Sequence, residues 1–379
     1  MPGFASGDVF VYSWNDEQQK FLQSGVLVGT GSVGTDGGVP NILQDGYVVA
    51  INGDGSTIFF SRTDDNSNIG ATWVFVGNTT KGWTQQGSKL VGSHPVHFSR
   101  QGSCLESSLD GNTLVVGGWT DDDYYGAAWI FTRDHENNWS QQSPKIIGTS
   151  QLGFSCTINA IGNVVMISGA GNILVYSRDS VGLWSLTGII PNLYVNDITP
   201  LSLSADGKTA LVGISNVTVV ALVVEYNAQS NTWEKTALLE TTSNFVGFSV
   251  ALSSDGNTAV IGTPGFDDYG GAAWVFTRDV QSGSWSQIPQ ILIGNDISKV
   301  PYQGFSVSVS GNGDTVVFGG PEDGGGVGAT WVFRKPTSAP VTNSPKHSKK
   351  THKRIVFNNQ RYYCNVGDAN KGSLPICTK

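Results

Sequence analysis

Carboxylates are the residues in this sequence best supplied in number and spacing to do chemistry. They cluster at Asp64 and Asp65, at Asp121, Asp122 and Asp123, at Asp267 and Asp268, and at Glu322 and Asp323. Neighbouring carboxylates bind hard cations through oxygen, and a pair of them can carry acid–base hydrolysis. Asp121, Asp123, Asp267 and Asp268 therefore carry the metal expectation, with Ca2+ as the ion; no other cofactor is expected. The competing reading is a set of solvated loop residues. The clusters recur at equivalent places, whereas a unique active site should break a repeat.

Other chemical patterns fail on context. Gly29, Gly31 and Gly34 form a GxGxxG, but TDGGVPN comes next, which cannot open the helix a dinucleotide needs. That stretch reads as a flexible connection. Gly207-Lys208-Thr209 ends like a phosphate loop, but Ser202 stands where Gly is required, so it reads as a hairpin turn. His94 and His97 lack a third ligand in the sequence. There is no HExxH, no GxSxG and no Cys/His pair in a recognisable setting. Cys104 and Cys156 lie in apolar, strand-like segments and read as buried free thiols. Cys364 and Cys377 are close in sequence and could bridge.

The elements that must position these residues are strands. The 379 residues include 49 Gly and 11 Trp, with 14% charged residues, a profile that argues against coiled coils and long helices. Hydrophobic residues make up 39% and aromatics 10%, enough to fill a large core. A unit recurs down the chain. GFSVALSSDGNTAVIGTPGFDDYGGAAWVFTR begins at Gly247, GSCLESSLDGNTLVVGGWTDDDYYGAAWIFTR at Gly102, and further copies at Gly46, Gly153, Leu201 and Gly304. Each reads as a short alternating strand, an Asp-Gly or Asn-Gly turn, an apolar β-branched strand, an acidic loop, a strand centred on Trp, and a polar fourth strand. Repeated four-stranded units of this length indicate an all-β β-propeller, whose middle strands are apolar on both faces because each blade is sandwiched. Third strands fall at Phe10, Val74, Ile130, Leu174, Val223, Val275 and Val332, which favours seven blades. A six-bladed ring is the alternative closure.

The repeat resembles the FG-GAP family, the integrin-α-like propeller repeat. The matching residues are Gly247-Phe248-Ser249, Gly262-Thr263-Pro264-Gly265 and Gly271–Phe276, and again Gly304-Phe305-Ser306, Gly320-Pro321 and Gly328–Phe333. The resemblance covers about residues 1–335 and implies a scaffold with a binding surface. It also implies calcium loops of the form DxDxDGxxD, but every copy lacks the carboxylates: Asn52 and Asp54 stand in one turn, while Asp110, Asp206 and Asp255 stand alone.

Composition shifts after Arg334. Residues 1–334 hold 13 basic and 29 acidic side chains, net −16, and residues 335–379 hold 9 basic and one acidic, net +8. Residues 336–354 read as a Pro/Ser/Thr-rich, then basic, linker, with Lys349, Lys350, Lys353 and Arg354 as an interaction site. Residues 355–379 read as a strand or a disulfide-closed knob. The acidic body argues against nucleic acid as partner. No apolar run is long enough for a transmembrane helix, and no ordinary signal peptide is visible. These features lead to the expectation of a non-enzymatic binding or structural module, at a cell's outer surface or in a virion. It would take a protein or glycan ligand on its rim and an assembly partner at its tail. A glycan-acting hydrolase using rim carboxylates and an intracellular interaction scaffold are the alternatives.

Overall fold

A computed structural model describes residues 9–18, 20–33, 48–191, 199–214, 219–241, 247–297 and 300–335, together with backbone strands at 353–357, 360–365 and 376–378. Lys349 and Lys350 lie outside the described residues, as do the side chains of Lys353, Arg354, Cys364 and Cys377.

The chain folds as an all-β propeller of antiparallel blades. Blade one comprises Val49–Ile51, Thr57–Arg62, Ala71–Asn78 and Gly82–Gln85. Blade two comprises Cys104–Ser107, Thr113–Gly118, Ala127–Arg133 and Trp139–Gln141. Blade three comprises Ser155–Ile158, Val164–Ser168, Asn172–Arg178 and Trp184–Pro191. Blade four comprises Leu201–Leu203, Thr209–Gly213, Val219–Asn227 and Thr232–Glu240. Blade five comprises Ser249–Leu252, Thr258–Thr263, Ala272–Arg278 and Trp285–Gln287. Blade six has three strands, Ser306–Val309, Thr315–Gly320 and Ala329–Arg334. In each blade these strands pair in chain order, and in blade two a short further strand, Ile146–Ile147, also pairs with Ala127–Arg133. Contacts divide the chain into two compact units, one of residues 1–13, 21–212 and 224–235, the other of 14–20, 213–223 and 236–379. Blades one to three belong to the first unit and blades five and six to the second.

There are six blades, which corrects the expectation of seven. The strand at Phe10, Val9–Asn15, pairs with Lys20–Leu27 in a separate two-stranded sheet, and the tail strands Lys353–Phe357, Gln360–Asn365 and Ile376–Thr378 form their own sheet. The hairpin repeats the outer half of a blade without an inner half. Its role is to cover: Val9, Val11 and Leu27 pack on Phe60, Trp73, Phe75 and Trp83 of blade one.

Successive blades are locked by the third-strand tryptophans. Trp73, Trp129 and Trp274 are almost wholly buried. The indole N–H of Trp73 donates to the Thr30 carbonyl (2.7 Å), that of Trp129 to Ser93 (2.9 Å) and that of Trp331 to Asn295 (3.0 Å). The residue before each acceptor is a glycine: Gly29, Gly92 and Gly294. A Cβ there would lie 2.8, 2.2 and 2.3 Å from the indole of Trp73, Trp129 and Trp331 respectively. Gly29 is therefore a close-approach residue against a ring, not part of a flexible connection. Trp274 departs from the pattern and donates to the Thr263 hydroxyl instead (2.9 Å).

A second lock runs through the turns between first and second strands. Gly53 N–H donates to Leu109 C=O, Leu109 N–H to Ala160 C=O, and Ala160 N–H to Ala205 C=O, at 2.8, 2.9 and 3.0 Å. Within each turn the side chains close on themselves. The Ser108 hydroxyl donates to Asp110 and accepts from the Thr113 amide, and Asp110 accepts from the Asn112 amide. Ser204/Asp206 and Ser253/Asp255 repeat this. Burial opposes ionisation of Asp110, but the bonds from Ser108 and Asn112 outweigh it and hold the carboxyl below its ordinary range. These aspartates are turn formers.

The third lock is covalent and corrects the free-thiol reading. Cys104 and Cys156 form a disulfide with Cα atoms 5.7 Å apart. Cys104 pairs with Gly117 on blade two, and Cys156 with Ile167 on blade three. In the repeat, Cys104 aligns with Ser155 and Cys156 with Leu105, so the two cysteines are offset by one position. Alternate residues of a strand face opposite ways, so Cys104 faces the next blade while Cys156 faces the preceding one. Both are buried, as expected of apolar-strand cysteines.

Two outcomes test these locks. Gly92→Ala should destabilise by about 1–3 kcal/mol through overpacking; a melting temperature equal to wild type would show that the connection yields freely. Reduction of Cys104–Cys156, which closes a 52-residue separation, should cost about 4 kcal/mol on the chain-entropy account, read as a lower denaturant midpoint in dithiothreitol.

Candidate functional site

The acidic loops turn out to be built for structure. In three of them the chain makes a left-handed turn of three consecutive non-glycine residues: Asn66, Ser67 and Asn68; Asp122, Asp123 and Tyr124; Asp267, Asp268 and Tyr269. Asp and Asn tolerate this region better than most residues. The residue before the turn differs. Asp121 is buried, accepts from the Val96 amide (2.9 Å) and pairs with Lys145 (2.7 Å). Asp65 does the same with the Val33 amide and Lys89 (2.5 Å). In blade five the corresponding residue is Phe266, which packs edge-on against Trp274.

The four residues expected to hold a cation are thus not equivalent. Asp121 points inward to Lys145. Asp123 is exposed, with the His97 imidazole 3.9 Å away. Asp267 and Asp268 are exposed on blade five. Among the described residues no three His, Cys, Asp or Glu side chains come together as a metal site. His94 contributes its backbone carbonyl to Lys145 (2.8 Å) rather than its ring.

The carboxyl that stands apart is Glu106, on the first strand of blade two. First strands line the axis of a propeller, and on the described first strands Glu106 is the one acidic residue. Its repeat equivalents are Ala50, Thr157, Ser202, Ala251 and Ser308, all small or hydroxylic. Glu106 lies two residues from Cys104, hence on the same face of the strand, in the seam with blade three. Its Oε2 accepts from the Ile158 amide (3.3 Å). Removal from water raises its pKa to about 7, with only the Thr157 hydroxyl and the Ile158 amide pulling it back. No cation contributes to that balance. The seam beside it is apolar: Cys104, Val115, Ile130, Leu152, Cys156 and Ile158. The hydroxyl of Ser107 is buried without a hydrogen-bond partner.

A carboxyl with a pKa near neutrality can both take and give a proton at physiological pH. Such groups concentrate at functional sites, though structural positions also produce them. Sequence reasoning passed over Glu106 because it stands alone, outside any cluster. The signal that could have found it was a charged residue at a position that is small or hydroxylic in every other copy.

Aromatic side chains border the end of this seam where the disulfide sits. Trp119 follows the second strand of blade two and Phe154 precedes the first strand of blade three. The Trp119 ring is 5.5 Å from that of Tyr124 and 6.0 Å from that of Phe154.

Comparison with known proteins bears on the fold. No protein-family model matches the chain, and no curated protein matches it. Among solved structures it is similar to a "putative 6-phosphogluconolactonase" from Bacteroides uniformis, at 10% identity and TM-score 0.57, covering 84% of this chain and 85% of that one. It is also similar to a protein from Lactobacillus plantarum, at 10% identity and TM-score 0.55 over 84% and 85%. Kuenenia stuttgartiensis hydrazine synthase matches at 14% identity and TM-score 0.51 over 76% and 78%. At these identities the likeness is one of fold.

The expectation of a non-enzymatic adhesion or virion module is corrected on two grounds. The similar structures above include one named a "putative 6-phosphogluconolactonase" and none named as an adhesion or virion protein; and Glu106, which that expectation did not consider, is a carboxyl whose pKa burial raises to about 7.

Glu106 makes stability depend on pH with a defined sign. Its folded pKa lies above its ordinary value of 4.5, so the folded protein holds a proton that the unfolded chain has released. The contribution is complete below about pH 4.5 and is lost as pH rises through about 7. Glu106→Gln should therefore be more stable than wild type above pH 7, by up to about 3 kcal/mol, with the gap closing toward pH 4. Parallel stability–pH curves for the two proteins would refute the raised pKa.

Proposed function

We propose that this protein is a hydrolase acting on a lactone or related ester of a carbohydrate, with Glu106 as the proton-transfer group. The observation that carries the reading is Glu106 itself, an isolated carboxyl on an axial strand, held in an apolar seam without a counter-cation. A single carboxyl suits lactone hydrolysis better than glycoside hydrolysis, which needs two flanking carboxylates. The rim carboxylates are set aside as the catalytic pair because Asp65 and Asp121 are engaged by Lys89 and Lys145. The fold likeness to a structure named as a 6-phosphogluconolactonase supports the reaction class and no more than that.

In this reading the Glu106 carboxylate takes a proton from water as the water oxygen attacks the lactone carbonyl carbon. The ring C–O bond then breaks, and the departing ring oxygen receives that proton from Glu106. The product is the open hydroxy acid, which gives its own proton to solvent. One water is consumed and Glu106 is regenerated.

The Cys104–Cys156 disulfide supports an oxidising location, since structural disulfides are rare in the cytosol. We accordingly propose a location outside the cytosol. We also read the repeats as FG-GAP-like, on Gly247-Phe248-Ser249, Gly304-Phe305-Ser306 and their matching segments.

The experiment is a pH-stat assay of the full chain with D-glucono-1,5-lactone and a panel of sugar lactones. The expected kcat/KM rises with pH and levels off above about 7, as the free-enzyme base ionises. Glu106→Gln should lower it by about a hundredfold or more. Equal activity in that variant, or no turnover of any lactone by wild type, would overturn the proposal.

A further inference from the structure

Three aromatic rings gather at the open end of the seam between blades two and three. Tyr124 and Phe154 approach Trp119 at interplanar angles of 60° and 72°. Neither ring lies parallel on the indole, and Trp119 and Phe154 are each half-buried, so part of each remains open to solvent. Tyr124 is 56% exposed and Tyr125 53% exposed. Tyr124 is held outward by its left-handed backbone, φ 71°, the last step of the turn that begins at Asp122. The core tryptophan of this blade is Trp129, so Trp119 is an additional indole at the blade's end.

The charge around these rings is as informative as the rings. Asp122 and Asp123, beside Tyr124, are exposed. Arg62, Lys89 and Lys145, on the matching loops of blades one and two, are each ion-paired, with Asp64, Asp65 and Asp121 respectively. The His97 imidazole lies 3.9 Å from Asp123, and the exposed Asp122 and Asp123 give the surface hydrogen-bond acceptors beside the rings and an acidic rather than a basic character.

We propose that Trp119, Tyr124 and Phe154 form a platform for an uncharged sugar ring, which stacks on an aromatic face while its hydroxyls donate to Asp122 and Asp123. The platform rests on the hydrolase reading only for the chemical step after binding. Register sets Cys104 opposite Gly117 in an antiparallel pair, so Trp119 stands two residues to one side of the disulfide and Glu106 two residues to the other, about 13 Å apart along the strands at the usual rise. The implied substrate class is a neutral sugar lactone rather than a phosphorylated one. That separates this chain from the phosphosugar in the name of the Bacteroides uniformis protein.

The test is titration calorimetry and tryptophan fluorescence on the full chain with methyl β-D-glucopyranoside and with glucose 6-phosphate. The expected result is saturable binding of the neutral glycoside, weaker by about tenfold in Trp119→Ala, weaker also in the exposed-site variant Tyr124→Ser, and undiminished in Glu106→Gln. Tighter binding of glucose 6-phosphate, or wild-type affinity in both aromatic variants, would overturn the platform. No binding of either probe would also overturn it, while leaving the lactonase assay to judge Glu106. Binding that depends on Trp119 in a protein that turns over no lactone would uphold the platform and reject the hydrolase reading.

Discussion

The contact on which the blades depend is an indole ring closed onto a glycine. Trp73, Trp129 and Trp331 each bury a large apolar surface in the middle of a blade, and each must satisfy one N–H donor while doing so. The carbonyl of the connection before the blade accepts that donor. It can approach only because the preceding residue, Gly29, Gly92 or Gly294, has no Cβ to strike the ring. Burial, hydrogen bonding and chain path are thus settled by one arrangement. Where the tryptophan is replaced, as by Leu174 in blade three, the arrangement is absent.

Blades two and three are where the repeat is broken, and the breaks are concentrated. In blade three Leu174 stands at the core Trp position. Cys104 and Cys156 staple the seam, and Glu106 replaces a small residue two positions along. A carboxyl in an apolar seam raises the free energy of the ionised state, which would loosen the interface at neutral pH. The disulfide beside it offsets that tendency by holding the two first strands together whatever the protonation state. Stability and reactivity are in tension here, and the covalent bond lies where the tension is greatest.

The acidic loops show how identical composition can serve different ends. Asp65 and Asp121 are ion-paired and buried, while Asp122 and Asp123 face water. The left-handed turn separates them: it sends one carboxylate inward to a lysine and the next two outward. Proximity in sequence is therefore a poor guide to proximity of function, and the cation expectation at Asp121 and Asp123 assumed a convergence that the backbone does not make.

The sequence by itself determined the four-stranded blade, because alternation, Asp-Gly turns and the recurring Trp are local patterns with a fixed geometric meaning. It determined the turn-forming role of Asp110, Asp206 and Asp255, whose partners lie within five residues. It could not decide the blade count, since the hairpin at Phe10 carries the outer half of the pattern and only its pairing reveals that no inner half joins it. Nor could it pair Cys104 with Cys156 or select Glu106. Both depend on which face of a strand meets the neighbouring blade, and on how far that seam excludes water. Facing and dehydration are properties of packed sheets, so they come into being only when the blades are stacked.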